Sequence, residues 1–568
     1  MQNSKIYASS PRETVQVRLG DGRIFEGVMG TPLKEFVAAI VRPEDPPTVA
    51  ALVDGELREL SYCITKDVDV HLLTNATGDG KRIYQRSLTL LMLAAVRELF
   101  PQVRITVDHS ITMTGLLCEV HGREPFTSQQ VEQIEARMKE IVDQDVPIVK
   151  NQVPLDKAIS MFQARGREDK VRLLKYRAKD YVVIYSLGQE ADYFYGYMVP
   201  STGYLRYFDL IPHPAGFILR APRRASPTEL PQKRDASNLD MVFRQYGQWL
   251  QRLNIGDVAA LNEAVETGRI REGILVSEAL HEQQVVDIAA KIAVRSPQVR
   301  LVLIAGPSSS GKTTFSKRLA VQLMARGLRP VPIEMDNYFV DRDNTPRDEK
   351  GDYDFEHLHA LDLDLFRRDM LALMEGRPVH MPHYNFMTGA REPGRMLQIG
   401  DHHIIIAEGI HGMNPELING IPADRIYRIY ISALTQLNID HHNRIPTTDT
   451  RLLRRIVRDA KHRGYSAQET IDRWESVRRG EDRWIFPYQG NADDMFNSAL
   501  VYELAVLKPF VEPLLLRIEP DTLAYVESKR LLAFLQWFLP CPTDFMPDNS
   551  ILREFVGGSI LHNFMVSL

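Results

Sequence analysis

The chain has 568 residues, too many for a single hydrophobic core, so three or more domains are expected. At 44% hydrophobic and 25% charged it has an ordinary globular composition, and a net charge of −5 argues against a general nucleic-acid binder while leaving local basic patches open. Cys63, Cys118 and Cys541 lie too far apart for a metal or disulfide pattern, and there is neither a signal-type apolar core near the start nor an apolar run of about 18 residues, which predicts a cytoplasmic protein with no membrane segment.

Residues 1–12 read as a loose tail. VQVRL (15–19), GDGR (20–23) and IFEGV (24–28) predict two strands joined by an Asp-Gly turn. Thr31 then reads as a helix N-cap with Pro32 at the first helical position, and short strands follow at Val49–Val53 and Asp69–Leu73. This ββαββ order over residues 13–75 resembles the TGS domain, the small β-grasp module of threonyl-tRNA synthetases, some GTPases and stringent-response enzymes. Any small ubiquitin-like fold would show the same order. The resemblance implies binding of a partner or RNA and no catalysis.

Residues 76–222 carry SLTLLMLAAVRELFP (87–101), FTSQQVEQIEARMK (126–139) and DYFYGYMVPSTGYLRYFDL (192–210), which resemble the α+β editing-type domain of threonyl-tRNA synthetase. In that family two His on the first helix join a Cys and a His of the last segment in a metal or editing site. Here Gln85, Arg86, Thr89 and Leu90 stand near the first pair, in either alignment frame, and Phe194 and Met198 at the second. None of these supplies the imidazole or thiolate that a borderline metal needs, so the resemblance implies a dead hydrolytic site kept for a structural or ligand-sensing role. Residues 223–238 are polar with two prolines and read as a linker; the stretch to 298, with Leu250, Leu253, Val258, Leu261, Val265, Leu280 and Ile288 at helical intervals, reads as a helical bridge.

Leu301–Ile304 is an apolar run of buried-strand length, followed by GPSSSGKT (306–313) and by Phe315, Leu319 and Leu323 at a spacing of four, with Gly327 as a helix stop. The order strand, glycine-rich turn, helix fits the phosphate-loop pattern GxxxxGK[ST]. Gly306 and Gly311 permit the backbone conformations that aim successive N–H groups inward, so Gly306, Ser308, Ser309, Ser310, Gly311, Lys312, Thr313 and Thr314 are the expected ATP-binding residues. Lys312 can reach the β- and γ-phosphates, and the Thr313 hydroxyl can ligate Mg2+. A second strand, Val331–Met335, ends at Asp336, and a third, His403–Ala407, ends at Glu408. Ligands of doubly wound parallel sheets bind at such strand ends, so Asp336 could face the γ-phosphate and Glu408 could hold Mg2+ in a Walker-B-like manner. Either could equally be a solvated acid at the end of a strand.

The pieces GPSSSGKTT (306–314), DNYF (336–339), DFEH (354–357), PHYNF (382–386), EGI (408–410) and DTRLLRRIVRDAKHRG (449–464) occur in the order of the uridine kinase/phosphoribulokinase family, and residues 299–520 resemble its uridine kinases. The resemblance implies an α/β domain with a doubly wound parallel sheet. It implies that Asp336 accepts the proton of a nucleoside 5′-hydroxyl and lies near the metal, and that Glu408 helps with Mg2+. Tyr338 and Glu356 would line the nucleoside site, Glu356 towards the ribose hydroxyls, with Tyr384 and Phe386 flanking the base. Residues 451–483 hold nine arginines and one lysine, with Arg451, Arg454, Arg455 and Arg458 at spacings of three and four. A solvated basic helix or an RNA patch would look alike. The family implies a lid, with Arg455 by the substrate and Arg458 and Arg463 by the phosphates.

The departures fall on the base-reading side. Gly389 or its neighbour stands where uridine kinase has a base-recognising His, Tyr465 replaces a lid arginine and Arg473 a lid glutamine. A hydroxyl-phosphorylating kinase using ATP and Mg2+ is therefore better supported than uridine as the acceptor. Residues 491–507 predict a closing strand and helix, and residues 521–568 a helical tail with no assigned role. The alternative reading is a nucleotide-gated regulator that contacts tRNA, other RNA or the ribosome through the N-terminal half. A GTPase is disfavoured, because the DxxG-like DEKG at 348–351 has no NKxD to go with it. The oligomeric state is open, a homo-oligomer included.

Overall fold

The computed structural model describes residues 11–42, 44–110, 115–231, 247, 249–250, 252–349, 351–520, 522–562 and 564. Their contacts form two compact units: residues 1–235 with 438–444 and 519–534, and residues 236–437 with 445–518 and 535–568. These limits differ from the expected ones. The stretch 299–520 gives residues 438–444 to the N-terminal unit, and the expected tail is shared between the two. The linker from residue 232 to 238 lies outside the described residues.

The N-terminal unit opens with a five-stranded sheet in the order Ile24–Val28, Thr14–Leu19, Val68–Thr74, Thr48–Val53, Glu56–Glu59. Val15, Val17 and Leu19 alternate inwards along their strand, and the helix Leu33–Ile40 lays Leu33, Phe36, Val37 and Ile40 on the same core. The sheet has one strand more than the sequence predicted. Asp54 and Gly55 both take positive φ, +49° and +77°, which closes a two-residue hairpin and turns Glu56–Glu59 back on its neighbour.

The helix Gly78–Leu99 follows, capped by the Thr77 hydroxyl on Gly80 N–H, and packs with a three-stranded and a four-stranded antiparallel sheet. The positions expected to lack metal ligands are filled. Leu90, Phe194 and Met198 are buried core residues. The Arg86 guanidinium donates to the Tyr197 carbonyl at 2.6 Å and lies 5.6 Å from the Tyr195 ring centroid.

Residues 438–444 complete a buried polar cluster in this unit. Lys170, 1% exposed, places its ammonium 2.8 Å from Asp192 and 3.0 Å from Asp440. His442 Nδ1 bonds the second oxygen of Asp192, and Asn443 donates to Tyr193 O and to Asp440 at 2.9 and 2.8 Å. The His441 carbonyl accepts from Val107 N–H at 2.8 Å. Burial alone would lower the pKa of Lys170, but Asp192, Asp440 and Asp169 outweigh it and raise that pKa. Burial would raise Asp192, and Lys170 with His442 instead holds it well below the usual carboxylate range.

The second unit is built on a five-stranded sheet, in the order Arg329–Glu334, His403–Gly409, Leu301–Ala305, Ile426–Ser432, Asp494–Asn497. All pairs are parallel, and the five residues of Leu301–Ala305 are fully buried. Burial on both faces is why the central strands read as unbroken apolar runs. In chain order the sheet is 2-3-1-4-5, so the phosphate-loop strand lies between its third and fourth neighbours, where the order reverses and a crevice opens at the carboxyl ends. The helical bridge comprises Val258–Glu266 and Ile270–Arg295. A separate hairpin, Val379–Asn385 with Ala390–Leu397, stands on the Asp336 side of the sheet, its first strand packed near the turn Met335–Tyr338. Among the described residues no helix is long and apolar enough to cross a membrane.

Replacing Lys170 by methionine leaves Asp192 and Asp440 buried without their common counter-charge. Removing one partner of a buried ion pair costs about 3–5 kcal/mol. Chemical denaturation of the full-length variant, followed by tryptophan-independent circular dichroism, is expected to show the unfolding transition of this unit displaced by that amount.

Candidate active site

The phosphate loop begins where the central strand ends. Gly306 has no room for a side chain: a Cβ there would lie 1.9 Å from the Ile431 carbonyl oxygen. Ser309 and Gly311 both adopt left-handed backbone, φ +59° and +86°. A serine in that region is strained, and such strain gathers where a ligand is to be clamped. The loop leads directly into the helix Lys312–Met324, whose first N–H groups have no partner within the helix.

Two side chains of that first turn define the site. The Lys312 ammonium turns back onto the carbonyls of Gly306 and Pro307 at 3.0 and 3.2 Å. Burial lowers its pKa, opposed by the carboxylates of Glu408, Glu554 and Asp336. The Thr313 hydroxyl donates to Glu408 Oε1 at 2.8 Å. Glu408 is paired in register with Ile304 on one side and Glu334 on the other, which sets its carboxylate at the strand end beside the loop. Burial pushes Glu408 up to about 7, against the pull of Lys312 and the Thr313 bond.

Asp336 lies in the 3-10 turn Met335–Tyr338 that follows the strand Arg329–Glu334. Its depth among protein atoms raises its pKa, and Lys312 opposes this. Water nevertheless reaches the side chain, so the rise is smaller than burial alone would give. Glu356 sits deeper: burial and the nearby Glu481 raise it to about 7 against Arg455, and one of its oxygens has no hydrogen-bond partner among the described residues.

The arginine helix Thr447–His462 faces the loop with two kinds of arginine. Arg451 and Arg454, 1% and 0% exposed, are locked in ion pairs with Glu481 and Glu503. They also grip the outside of the loop, Arg451 donating to Ser308 O at 2.9 Å and Arg454 to Ser309 O at 3.5 Å. Arg455 donates to the Ser308 hydroxyl at 2.6 Å. Arg455, Arg458 and Arg463 share one acid, Asp459, at 3.2, 2.8 and 3.7 Å. Three guanidiniums on one carboxylate leave a local excess of positive charge beside the loop. Arg463 also interacts electrostatically with Asp336.

The structure thus brings together Lys312, Thr313, Asp336, Glu356, Glu408, Arg455 and Arg463 around the loop. The aromatic residues are placed differently. Tyr338 is fully buried, its ring edge-on to Phe366 at 5.1 Å and its hydroxyl beside Asp369. It is packed into the core rather than presented to the cleft. Tyr384 is also buried, against Phe339 and Phe386 at 5.5 and 5.0 Å, while Phe386 is 58% exposed. Gly389 closes the hairpin with φ +73° and leaves no room for a side chain beside Arg342. Sequence reasoning assigned no task to Glu481, Glu503 or Glu554, and gave Arg451 and Arg454 no partners. The only local signal was the three-to-four spacing of the arginines, which marks a face without saying what it meets.

Comparison with known proteins agrees with this geometry over one stretch. Residues 301–504 match the Phosphoribulokinase / Uridine kinase family. The stretch is therefore a phosphate-loop kinase domain. Among solved structures, one described as a possible uridine kinase from Bacillus stearothermophilus is 20% identical, covering 38% of this chain and 98% of its own, with a TM-score of 0.27. The N-terminal part is similar to threonine–tRNA ligases. That of Symbiobacterium thermophilum is 34% identical over 198 residues and that of Azoarcus sp. 32% over 195. These alignments take in 35% and 34% of this chain, and the chain spans 30% of the length of each ligase.

Because Glu408 is neutral below about 7, its grip on a divalent cation should weaken as pH falls. Each unit below that value costs about tenfold in the ionised fraction. Titrating Mg2+ into the protein with a fluorescent ATP analogue, at pH 8 and pH 6, is expected to show weaker Mg2+ dependence at the lower pH, and Glu408→Gln is expected to abolish the difference.

Proposed function

We propose that the kinase domain transfers the γ-phosphoryl group of ATP to the 5′-hydroxyl of a nucleoside. The observation that carries this is the Thr313–Glu408 hydrogen bond at the mouth of the phosphate loop, with Lys312 and Asp336 interacting across the same space. Phosphoryl transfer asks for positioning and charge stabilisation more than covalent chemistry, and these groups supply both.

The loop N–H groups and Lys312 would hold the triphosphate, with Arg458 and Arg463 neutralising its outer oxygens. Two oxygen donors 2.8 Å apart, Thr313 and Glu408, fit the habit of Mg2+, which is held by one or two protein oxygens together with phosphates and water. When bound, that ion would neutralise charge on the phosphate oxygens. Asp336 would orient the acceptor hydroxyl and take its proton, for which a raised carboxylate pKa is an advantage. Arg455 lies at the Ser308 hydroxyl, where it would meet the transferring group. Glu356, one of whose oxygens has no hydrogen-bond partner among the described residues, suits the pair of hydroxyls of a ribose. Phe386 offers an exposed ring for a flat base, with Tyr384 holding it in place from behind.

Asp336→Asn is expected to lower kcat for the best acceptor by about 10²–10⁴-fold, while ATP binding stays unchanged. The measurement is ADP release over a nucleoside panel, with product identified by mass. Intact protein that binds ATP and phosphorylates none of the panel would remove the nucleoside from this reading.

A second reading is favoured by the ligase similarity of the N-terminal part: RNA recognition gated by nucleotide. It predicts a gel shift of the full chain with tRNA at low salt, altered by ATP, since phosphate contacts are strongest there. Absence of a shift at low salt would exclude it.

A further inference from the structure

Glu554 reaches the first turn of the phosphate-loop helix from far along the chain. It belongs to the helical turn Arg553–Val556, 240 residues beyond the loop, and its Oε2 accepts from both the backbone N–H and the hydroxyl of Thr314, at 3.2 and 2.9 Å. The Thr314 N–H is one of the first-turn donors that helices leave unsatisfied and that bound phosphates use. At the other end of the loop Glu481 does the same: its Oε1 accepts from the Ser308 N–H at 3.1 Å. Two carboxylates from outside the loop therefore each hold one of its backbone N–H groups, Glu481 that of Ser308 and Glu554 that of Thr314.

The segment carrying Glu554 is seated rather than loose. Ile551, Leu552 and Phe555 are fully buried. A Cβ on Gly311 would lie 2.6 Å from Ile551, so the segment touches the loop itself. The Phe555 ring lies 5.2 Å from the Arg454 guanidinium. Lys461 donates to Val556 O at 2.6 Å, and Lys317 to Leu561 O and His562 O at 2.8 and 3.0 Å. The last two lysines belong to the arginine helix and the phosphate-loop helix, so the segment spans both elements that a nucleotide would contact.

Resting on the reading of residues 306–314 as a triphosphate site, we propose that residues 550–562 form an autoinhibitory strap. Its Glu554 carboxylate takes the place of a nucleotide phosphate on Thr314, and ATP binds as that carboxylate gives way. One N–H cannot serve two acceptors, and two anions on the same donors repel. Apparent affinity for ATP is then reduced by the fraction of molecules whose strap is released. Glutamine at 554 keeps the shape but loses the charge, so its hold on the Thr314 N–H is weaker and the repulsion of the phosphates is gone.

The test is equilibrium binding of a fluorescent ATP analogue to the full chain, wild type against Glu554→Gln. The expected result is a Kd about tenfold lower for the variant. Equal or weaker binding by the variant, with wild type that binds, overturns the strap and leaves the triphosphate site standing. No binding by either protein removes the triphosphate site and the strap with it. Should Glu554→Gln fail to fold, hydrogen exchange of the wild type decides: faster exchange over residues 550–562 in saturating ATP supports the strap, and unchanged exchange there overturns it.

Discussion

The bond between Thr313 and Glu408 is the hinge of the kinase unit. It joins the first turn of one helix to the end of a neighbouring strand, and it exists only because the parallel register sets Ile304 opposite Glu408. That register follows from two unbroken apolar runs buried side by side, which have no polar position to spare for a slip. Gly306 then has to turn within contact of the Ile431 carbonyl, on the strand to the other side. Three strands thus fix one loop. The Thr313 and Glu408 oxygens and the N–H groups of the loop are placed by sheet pairing.

Around that loop the charges sort into two tiers. Arg451 and Arg454 are fully buried, each with its own glutamate, and act as fixed pegs on the carbonyl side of the loop. Such pairs are weak evidence for stability, since desolvation consumes most of the attraction, but breaking one leaves a bare buried charge. Arg455, Arg458 and Arg463 are more accessible and share a single ion-pair partner among the described residues, Asp459. The same helix therefore holds the loop in shape and presents unspent positive charge beside it.

What the sequence disclosed follows the range over which each signal acts. The phosphate loop, the strand ends at Asp336 and Glu408 and the arginine run were readable because each is spelled within about thirty residues, by glycine placement, apolar runs and spacing. Of the five parallel strands, three were legible as apolar runs and the last as a closing strand, whereas Ile426–Ser432 was not assigned and the doubly wound order rested on the family resemblance. Tyr338 was assigned to the nucleoside site by the family resemblance, but a 3-10 turn sends its ring into the core beside Phe366. Glu554 was invisible, because nothing local to REFV indicates that it meets a helix 240 residues earlier. In the N-terminal unit the positions where the resemblance expects ligands could be read one by one. That Arg86 fills the gap by bonding a backbone carbonyl could not, since it depends on the turn Gly196–Met198 folding over the helix.

Residues 438–444 bear on how the two halves of this gene product could ever be separated. They lie in sequence between a strand and the arginine helix of the kinase unit, yet Asp440, His442 and Asn443 complete the polar centre beneath Lys170 and Asp192. A polypeptide ending near residue 222 would expose that centre and leave Lys170 without Asp440, one of the three carboxylates around it. No single cut frees a whole ligase-like half, so recombination that shuffles modules at their borders would have to carry a seven-residue graft along with it.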